Sequence, residues 1–388
     1  MTAKRVWAWM ALSGVLAGGL VAIIAIGSPA PVRAADTASP PASPPASPPA
    51  WDRQAAARYL DGREVAWQAW DRTHKDRATY CISCHTQGTY GMARPILRQD
   101  LGEAGPGRAE QAMLASIDKR VNQWAAMQPF YSDIPSGPGK EIESHNTESV
   151  LNAVILSSYD ARADHLSATA RLAFDNAWAL QSKTGPDAGS WVWQNFHYGP
   201  WEAPESQYHW AALMAVAVAG APDHYRDDPK AAPSLALLTG YLRSHYEAQP
   251  LLNKIVALQA SAFYPDLLSP NQRAQLVGQM TRLQHPDGGW SLSELGPWAR
   301  VDKTPEETRS DGYATALIVL VLEQIGAPRR PEFPLAKGRA WLLANQDKTT
   351  GAWTAWSVNK NRDPASMEGH FMTDAATSYA VMALEAAK

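Results

Sequence analysis

The chain contains only two cysteines, Cys81 and Cys84, and His85 follows the second one directly. This C-x-x-C-H spacing is the pattern of covalent c-type haem attachment. Two thiols so spaced could add to the two vinyl groups of a haem, and the adjacent imidazole could bind the iron. The same thiols could instead form a disulfide in an oxidising compartment. A structural zinc site is a poorer match, because such sites are closed by several protein ligands and one histidine is local.

These residues resemble the attachment motif of monohaem c-type cytochromes, although the resemblance covers only the motif itself. It implies covalent haem c on Cys81 and Cys84, with His85 as an iron ligand. In that family the motif lies among several helices, which the helix-like stretches 52–73 and 108–127 could supply. The residues leave the sixth ligand open, and having no sixth protein ligand is a further alternative. The candidates are Met92, Met113, Met127 and His145.

Composition excludes several classes of protein. The 388 residues include 16 Trp but only 6 Phe, and 45% of them are apolar. The charged fraction of 19% is below the roughly 25% of an average soluble domain. This much apolar surface can offset the entropy of folding, so disorder along the whole chain is excluded. With a formal net charge of −3, no nucleic-acid partner is expected.

The N-terminal residues are expected to precede the folded part. Residues 1–35 are organised as an export segment, in which Lys4 and Arg5 precede the apolar run 6–26. This run is about long enough to span a bilayer, so a cleaved signal peptide and an uncleaved inner-membrane anchor both remain open. Either alternative predicts an exported, periplasmic protein. Residues 36–50 read DTASPPASPPASPPA, a Pro-rich linker expected to be extended.

A short motif recurs in the second half of the chain. Residues 284–290 read Q-x-x-x-G-x-W, residues 346–353 read the same with one insertion, and looser versions occur at 181–191 and 194–201. We expect its glycines to permit a tight turn and its tryptophan to stack on the preceding helix. We expect its glutamine amide to bond backbone groups at a neighbouring helix end. Such a motif indicates a fold rather than an activity.

Helix-like segments with a polar face alternate with strongly apolar ones. The first kind lies near 165–182, 232–247, 269–284 and 334–346. The second lies near 147–158, 208–219, 252–263, 313–325 and 375–387. A helix that is apolar all round must be buried. We therefore predict an all-α barrel of paired inner and outer helices.

This pattern resembles the α/α toroid of the terpenoid cyclase and protein prenyltransferase superfamily, which includes squalene-hopene cyclases and carries Q…G-x-W repeats. The resemblance covers about residues 140–388. It implies a toroid there, preceded by a short helical haem-bearing segment at 51–139.

The catalytic motifs of that superfamily are missing or altered. Class II cyclases protonate an alkene with the central aspartate of a D-x-D-D string, and the chain has no such string. Prenyltransferases hold zinc with aspartate, cysteine and histidine. Asp311-Gly312-Tyr313 resembles their Asp-Gly-Cys segment, but a tyrosine stands in place of the thiolate ligand. Neither known activity is therefore expected.

Polar residues near the predicted starts of inner helices remain as catalytic candidates. They are Asp311, Asp374, Glu148 and His209, with Glu205, His197 and Tyr198 close by in the sequence. Burial raises carboxyl pKa values, so an acid in a dry cavity could act as a general acid. The structural alternative is that an acid in a first helical turn only complements the helix dipole.

Three functions are compatible with these features. The first is a redox or electron-transfer protein in which haem c acts at or near the toroid cavity with a redox partner. The second is a non-redox enzyme that processes an isoprenoid. The third is a toroid that binds a lipid or glycan without catalysis. In the last two cases the tryptophans at 191–210 could wall an apolar pocket.

Overall fold

The computed structural model describes residues 51–127 and 137–386, which are almost entirely helical. The α-helices are α1 (Arg53–Ala69), α2 (Thr89–Asp100), α3 (Arg108–Asn122), α4 (Gly137–Ala163), α5 (Ala168–Leu180), α6 (Ser206–Gly220), α7 (Ala232–His245), α8 (Leu251–Ser261), α9 (Pro270–Leu283), α10 (Gly312–Gln324), α11 (Pro334–Ala344) and α12 (Met367–Glu385). Strands β1 (His74–Lys75) and β2 (Thr79–Tyr80) pair antiparallel between α1 and α2. The predicted export segment, its apolar run and the Pro-rich linker lie outside the described residues.

The even-numbered helices form a closed inner ring. Each packs against the next, and α12 packs against both α10 and α2, which closes the circle. Helix α10 shows why these helices lie inside, since every residue from Gly312 to Leu322 is buried. The odd-numbered helices pack outside them, and α9 buries only Leu276 and Met280. The predicted all-α toroid of inner and outer helices is confirmed.

The inner helices run in the same direction. At one end of the barrel, the Asn253 side chain in the first turn of α8 donates to the Glu205 carbonyl at the start of α6, at 2.7 Å. At the other end, the last turns of α4, α6 and α10 bring Arg162, Gly220 and Gln324 around one cavity. The barrel therefore has an N-terminal mouth and a C-terminal mouth, named after the ends of the inner helices.

The helices on either side of the boundary expected at residue 139 share one ring. Helix α2 occupies the inner position between α12 and α4, and α1 packs outside it. Gly91 of α2 lies so close to Ile155 of α4 that an added Cβ would stand 2.7 Å from that side chain. The chain from Trp51 onward thus completes the toroid rather than preceding it. Sequence periodicity missed this because the Q…G-x-W motif does not mark α2.

The motif glutamines join successive outer helices. Gln284 donates to the Pro334 carbonyl at the start of α11, and Gln181 donates to the Ser234 carbonyl at the start of α7. Gln346 exchanges two hydrogen bonds with the backbone of Asp52, the N-cap of α1. The last of these contacts ties the final outer helix to the first one. It therefore closes the outer layer of the barrel.

The motif tryptophans fasten each loop to the outer helix before it. The indole N–H groups of Trp191, Trp290 and Trp353 donate to carbonyls of α5, α9 and α11, at 2.7, 2.7 and 2.8 Å. The loosest repeat, at 194–201, behaves differently. There the indole of Trp201 donates to the hydroxyl of Tyr313 at 3.3 Å. Trp201 therefore belongs to the barrel interior and not to the helix-locking set.

Replacing Gly351 with alanine should destabilise the fold strongly. Gly351 has a φ of +82°, and an added Cβ would stand 2.6 Å from the Ala55 carbonyl oxygen of α1. A left-handed conformation at a non-glycine residue costs about 1–3 kcal/mol, and the clash adds to that cost. We expect Gly351→Ala to lower the urea midpoint clearly. The control Gly240→Ala lies in α7 with open space around it, and it should be neutral or slightly stabilising. Equal midpoints for the two variants would contradict this role.

No helix among the described residues is long and apolar enough to cross a membrane. The candidate anchor 6–26 precedes these residues.

Candidate functional site

The C-x-x-C-H motif opens an inner helix at the N-terminal mouth. It follows β2, and its second half forms a π-helical turn, Cys84–Gly88, that continues into α2. Ser83 caps this turn by accepting hydrogen bonds from the backbone N–H groups of Thr86 and Gln87. Single π-turns are uncommon and occur often at functional sites. The fold thus places the three chemically distinctive residues at one end of the barrel.

Both cysteines are free thiols. Desolvation raises the pKa of Cys81 to about 11, and burial raises that of Cys84 well above its usual range. Both groups are therefore protonated at neutral pH. Thiol redox chemistry needs an accessible thiolate, which this environment disfavours.

His85 lies inside an aromatic cluster. Its ring stacks on Phe371 with centroids 3.6 Å apart, and it meets Trp67 edge-on at 5.4 Å and Trp201 at 6.3 Å. Desolvation lowers the pKa of His85 to about 3, and the nearby charge of Arg63 acts in the same direction. The imidazole is therefore neutral at physiological pH and able to act as a ligand.

A chain of hydrogen bonds fixes the tautomer of His85. The Thr86 hydroxyl donates to Asp374 Oδ2 at 2.8 Å, so it is left to accept from His85 Nδ1 at 3.1 Å. Asp374 Oδ1 in turn accepts from the Tyr59 hydroxyl at 2.9 Å and from Arg63 Nε at 2.8 Å. With the proton on Nδ1, the lone pair of Nε2 is available. Asp374 thus acts on His85 through Thr86, an indirect form of the hydrogen bonds by which carboxylates orient metal-binding histidines.

The fold thus brings Asp374 to the C-x-x-C-H motif, where it contacts Thr86 rather than His85. Its carboxylate is buried and already accepts three hydrogen bonds. Burial raises its pKa, and Arg63 opposes that effect. In this geometry Asp374 acts as a positioning group for His85.

The other candidate acids lie in structural networks. Asp311 is the N-cap of α10, and it accepts from the backbone N–H groups of Ala314 and Leu292 at 2.9 and 2.5 Å. Burial raises its pKa to about 6. Glu148 forms a buried bidentate ion pair with Arg120, at 2.5 and 2.8 Å. The structure therefore gives each of these two acids a role in holding the fold.

His209 predicts a dependence of stability on pH. It is fully buried in α6, and desolvation lowers its pKa to about 4, while Asn253 acts in the opposite direction. A folded-state pKa below the unfolded value of about 6.5 gives stability that is present above pH 6.5 and is lost as pH falls toward 4. Between pH 7 and pH 5 the contribution of His209 to the free energy of unfolding should fall by about 2 kcal/mol.

Urea denaturation of the unsubstituted chain and of His209→Asn at the two pH values isolates this contribution, because other shifted groups such as His85, Glu64 and Glu202 are common to both proteins. The variant His209→Asn cannot titrate there, so its loss should be smaller by about the same 2 kcal/mol. An unchanged pH dependence in the variant would refute the assignment.

The remaining sequence candidates are scattered. Met92 lines the cavity enclosed by the inner helices at the C-terminal mouth, named here the axial cavity. Met113 and Met127 are buried, and His145 stacks on Trp124 at 4.4 Å. His197 is exposed, and Glu205 and Tyr198 are half-buried. The side chains that the structure places against the His85 ring are instead Trp67, Trp201 and Phe371.

Two acids beside the C-x-x-C-H motif, one buried and one half-buried, have no signal in the sequence. Glu64 of α1 is fully buried, and it accepts from Gln68 at 2.8 Å and from Gln87 of the π-turn at 2.9 Å. Glu202 is half-buried at the N-terminal mouth. Desolvation raises the pKa of both to about 7, and for Glu202 Arg362 opposes it. Packing of α1 on the π-turn brings Glu64 to the motif, whereas Glu202 comes from a segment more than 100 residues later.

Aromatic side chains connect the motif to the barrel interior. Beyond Trp201, which neighbours His85, the Tyr313 ring follows at 5.1 Å and the Tyr379 ring at a further 5.2 Å. Tyr379 lines the axial cavity. The N-terminal mouth and the cavity are therefore joined by adjacent rings.

The residues present are compatible with haem c and less so with a metal held by side chains alone. The motif supplies two unpaired thiols, and the neutral His85 has Nδ1 committed to Thr86. Covalent haem needs only these protein groups. Within the described ranges, no group of three or more His, Cys, Asp or Glu side chains could hold a metal ion.

No protein-family model matches the chain, and no curated protein matches it in sequence. Among solved structures, the chain is similar to a possible member of the GH105 family from Klebsiella pneumoniae subsp. pneumoniae MGH 78578. That match covers 86% of this chain and 92% of the other, with 11% identity and a TM-score of 0.45.

Proposed function

We propose that this protein is an exported α/α-toroid protein that carries covalent haem c at its N-terminal mouth and serves in electron transfer. The observation that carries the proposal is the tautomer of His85, which the Thr86–Asp374–Arg63 chain sets with the proton on Nδ1. In this proposal Cys81 and Cys84 hold the haem and His85 Nε2 binds its iron. When bound, the haem supplies reversible one-electron chemistry.

The chain's own residues would control the environment of that site. Phe371 and Trp67 pack against the His85 ring and exclude water from it. Asp374 holds the His85 proton through Thr86, which increases the basicity of the liganding nitrogen. The adjacent rings of Trp201, Tyr313 and Tyr379 lead from the His85 site to the cavity. These features support the proposal that His85 is held as a ligand in a dry environment.

The direct test is an absorption spectrum combined with an intact mass. The full chain should be produced together with a haem-maturation system and purified under denaturing and native conditions. We expect a Soret band that survives denaturation and a mass increase of one haem. A protein with neither would eliminate the proposal.

A second candidate function is acid–base catalysis at the same mouth, and Glu202 favours it. This carboxyl is partly accessible, and its pKa of about 7 lets it hold a proton at neutral pH. A general acid of this kind typically contributes about 10²–10⁴-fold to a rate.

In this second case, turnover of an isoprenoid substrate should fall about 100-fold or more in Glu202→Gln. Turnover should be retained in Cys81→Ser. Loss of activity in Cys81→Ser, with activity retained in Glu202→Gln, would instead favour the redox function.

A further inference from the structure

Helix α1 and the π-turn of the C-x-x-C-H motif enclose a pair of polar side chains, Glu64 and Gln87. Each is 0% exposed, and Gln87 Nε2 donates to Glu64 Oε1 at 2.9 Å. Gln87 lies two positions after His85 in the same turn. One helical turn after Glu64, the Trp67 ring meets the His85 ring at 5.4 Å, and its N–H donates to the Cys81 carbonyl at 2.9 Å. The Glu64–Gln87 pair therefore lies directly behind the motif.

Two oxygen atoms of this pair have no hydrogen-bond donor in the described part of the chain. They are Glu64 Oε2 and Gln87 Oε1, and both are buried. A carboxylate and an amide oxygen only accept hydrogen bonds, so neither atom can serve the other while Glu64 is ionised. A proton on Glu64 Oε2 makes that atom a donor, and Gln87 Oε1 is an acceptor on the side chain that Glu64 already contacts. One shared proton would therefore satisfy two atoms that are otherwise costly to bury.

The charges around Glu64 also favour its protonated form. Desolvation raises its pKa to about 7, and the negative charges of Asp61 on α1 and Asp374 on α12 act in the same direction. The other titratable groups turned toward it are phenols whose pKa burial raises, namely Tyr80 of β2, Tyr90 of α2 and Tyr159 of α4. Ion pairs hold the charges of the neighbouring helices, namely Arg63 with Asp374, Arg94 with Asp61, and Arg98 with Glu110. Glu64 therefore titrates near neutral pH, where a change in nearby charge decides whether it holds a proton.

A change of charge at the motif would alter the proton affinity of Glu64. One electron accepted at the motif removes one positive charge, and a less positive neighbour favours the neutral form of an acid. Gln87, which joins the π-turn to Glu64, is fully buried, so salt screens this effect little. The proton affinity of Glu64 should therefore be higher in the reduced protein than in the oxidised one.

We propose that Glu64 couples proton uptake to electron transfer at the C-x-x-C-H motif and shares its proton with Gln87. This coupling rests on the proposed haem, because it needs an electron acceptor at the motif. On reduction, the redox partner supplies the electron and water supplies the proton, which forms a bond to Glu64 Oε2. On oxidation, the electron returns to a partner and the proton returns to water. Up to one proton accompanies each electron in the pH range in which Glu64 titrates.

The test is the midpoint potential of the haem-loaded full chain as a function of pH. From about pH 6 to pH 8, the equilibrium constant for reduction should fall by up to tenfold per pH unit, which is about 59 mV for one electron. Glu64→Gln is neutral at every pH and should give a clearly flatter dependence. The difference between the two chains is the contribution of Glu64, because all other titrating groups are common to both. Equal slopes in the two chains would overturn the proposal.

Glu368→Gln is the matched control. Glu368 lies in the first turn of α12, where its 30% exposed side chain forms an ion pair with Arg72 at 3.0 Å. The control removes one carboxyl group at the same mouth of the barrel, and it should retain the slope of the unsubstituted chain. A slope reduced as much in Glu368→Gln as in Glu64→Gln would overturn the assignment to Glu64.

Infrared spectroscopy follows the proton directly and needs no variant. A protonated carboxyl group has a C=O band separate from that of a carboxylate, so the unsubstituted chain should gain this band on reduction. No gain would overturn the proposal, even if Glu64→Gln failed to fold. A chain without haem would eliminate the proposed function and this coupling together. A Soret band without proton uptake on reduction would eliminate the coupling alone.

Discussion

If the haem proposal is right, the double variant Cys81→Ser, Cys84→Ser is expected to carry no haem after denaturation, and the unsubstituted chain is expected to retain one covalently. The reason is chemical, because serine hydroxyls do not form the thioether bonds that the two thiols could form. No other cysteine exists in the sequence to substitute for them. Intact mass and the Soret band of denatured protein measure the result as a complete loss.

Single cysteine variants and a variant of Thr86 separate haem attachment from the positioning of His85. Cys81→Ser and Cys84→Ser should each leave one possible attachment, so a lower yield with covalent haem still present is expected. Thr86→Val removes the link between His85 Nδ1 and Asp374, and we expect it to keep the covalent haem but shift the reduction potential. Met92→Leu, at the cavity wall, is the matched control and should change neither property. Covalent haem in the double variant would show that attachment does not use this motif.

The second large effect concerns the buried ion pair between Arg120 and Glu148. Both side chains are almost inaccessible, at 0% and 5% exposure. Glu148→Ala leaves the Arg120 guanidinium buried without its carboxylate, which typically costs about 3–5 kcal/mol. Urea denaturation should show this loss directly.

Glu148→Ala should also affect haem attachment at the C-x-x-C-H motif. Arg120 donates to the Thr79 hydroxyl at 2.8 Å, and Thr79 lies in β2, immediately before the motif. We therefore expect a lower yield of haem-loaded Glu148→Ala protein.

Two controls test whether burial is the cause. Glu307→Ala breaks an exposed ion pair with Arg309, whose side chains are 40% and 69% exposed, and it should change stability by less than about 1 kcal/mol. The double variant Arg120→Met, Glu148→Leu removes both charges and should recover much of the stability lost in Glu148→Ala. A loss in Glu148→Ala no larger than that in Glu307→Ala would contradict the role of the pair.

Most of the helices could be predicted from the local sequence. The outer helix predicted near 269–284 is α9, Pro270–Leu283, and Ser269 and Gln272 form its capping box. The inner helix predicted near 313–325 is α10, Gly312–Gln324. Both were readable because capping and amphipathic period depend on residues a few positions apart. The Q…G-x-W motif was also correctly predicted to fasten its tryptophan to the preceding helix at Trp191, Trp290 and Trp353, because that contact joins residues close in the sequence.

The position of the first helices could not be read in this way. Helix α2 becomes an inner helix because α12 and α4 leave one place in the ring, which is a property of the closed barrel. Likewise, Glu148 is an ion-pair partner because α3 brings Arg120 to it. Asp311 caps its own helix locally, but it also accepts from Leu292, 19 positions earlier. A single sequence shows an acid near a helix start, and it does not show what that acid faces.

The sequence by itself determined the all-α repeat and singled out Cys81, Cys84 and His85 as the residues of unusual chemistry. Only the tertiary structure joined Thr86 to Asp374, 288 positions later, and so set the proton of His85 on Nδ1. Only the closed ring created the axial cavity. The physical reason is the range of the interactions. Helix periodicity and capping are local, whereas ligand orientation and cavities depend on contacts between segments that meet only when the barrel closes.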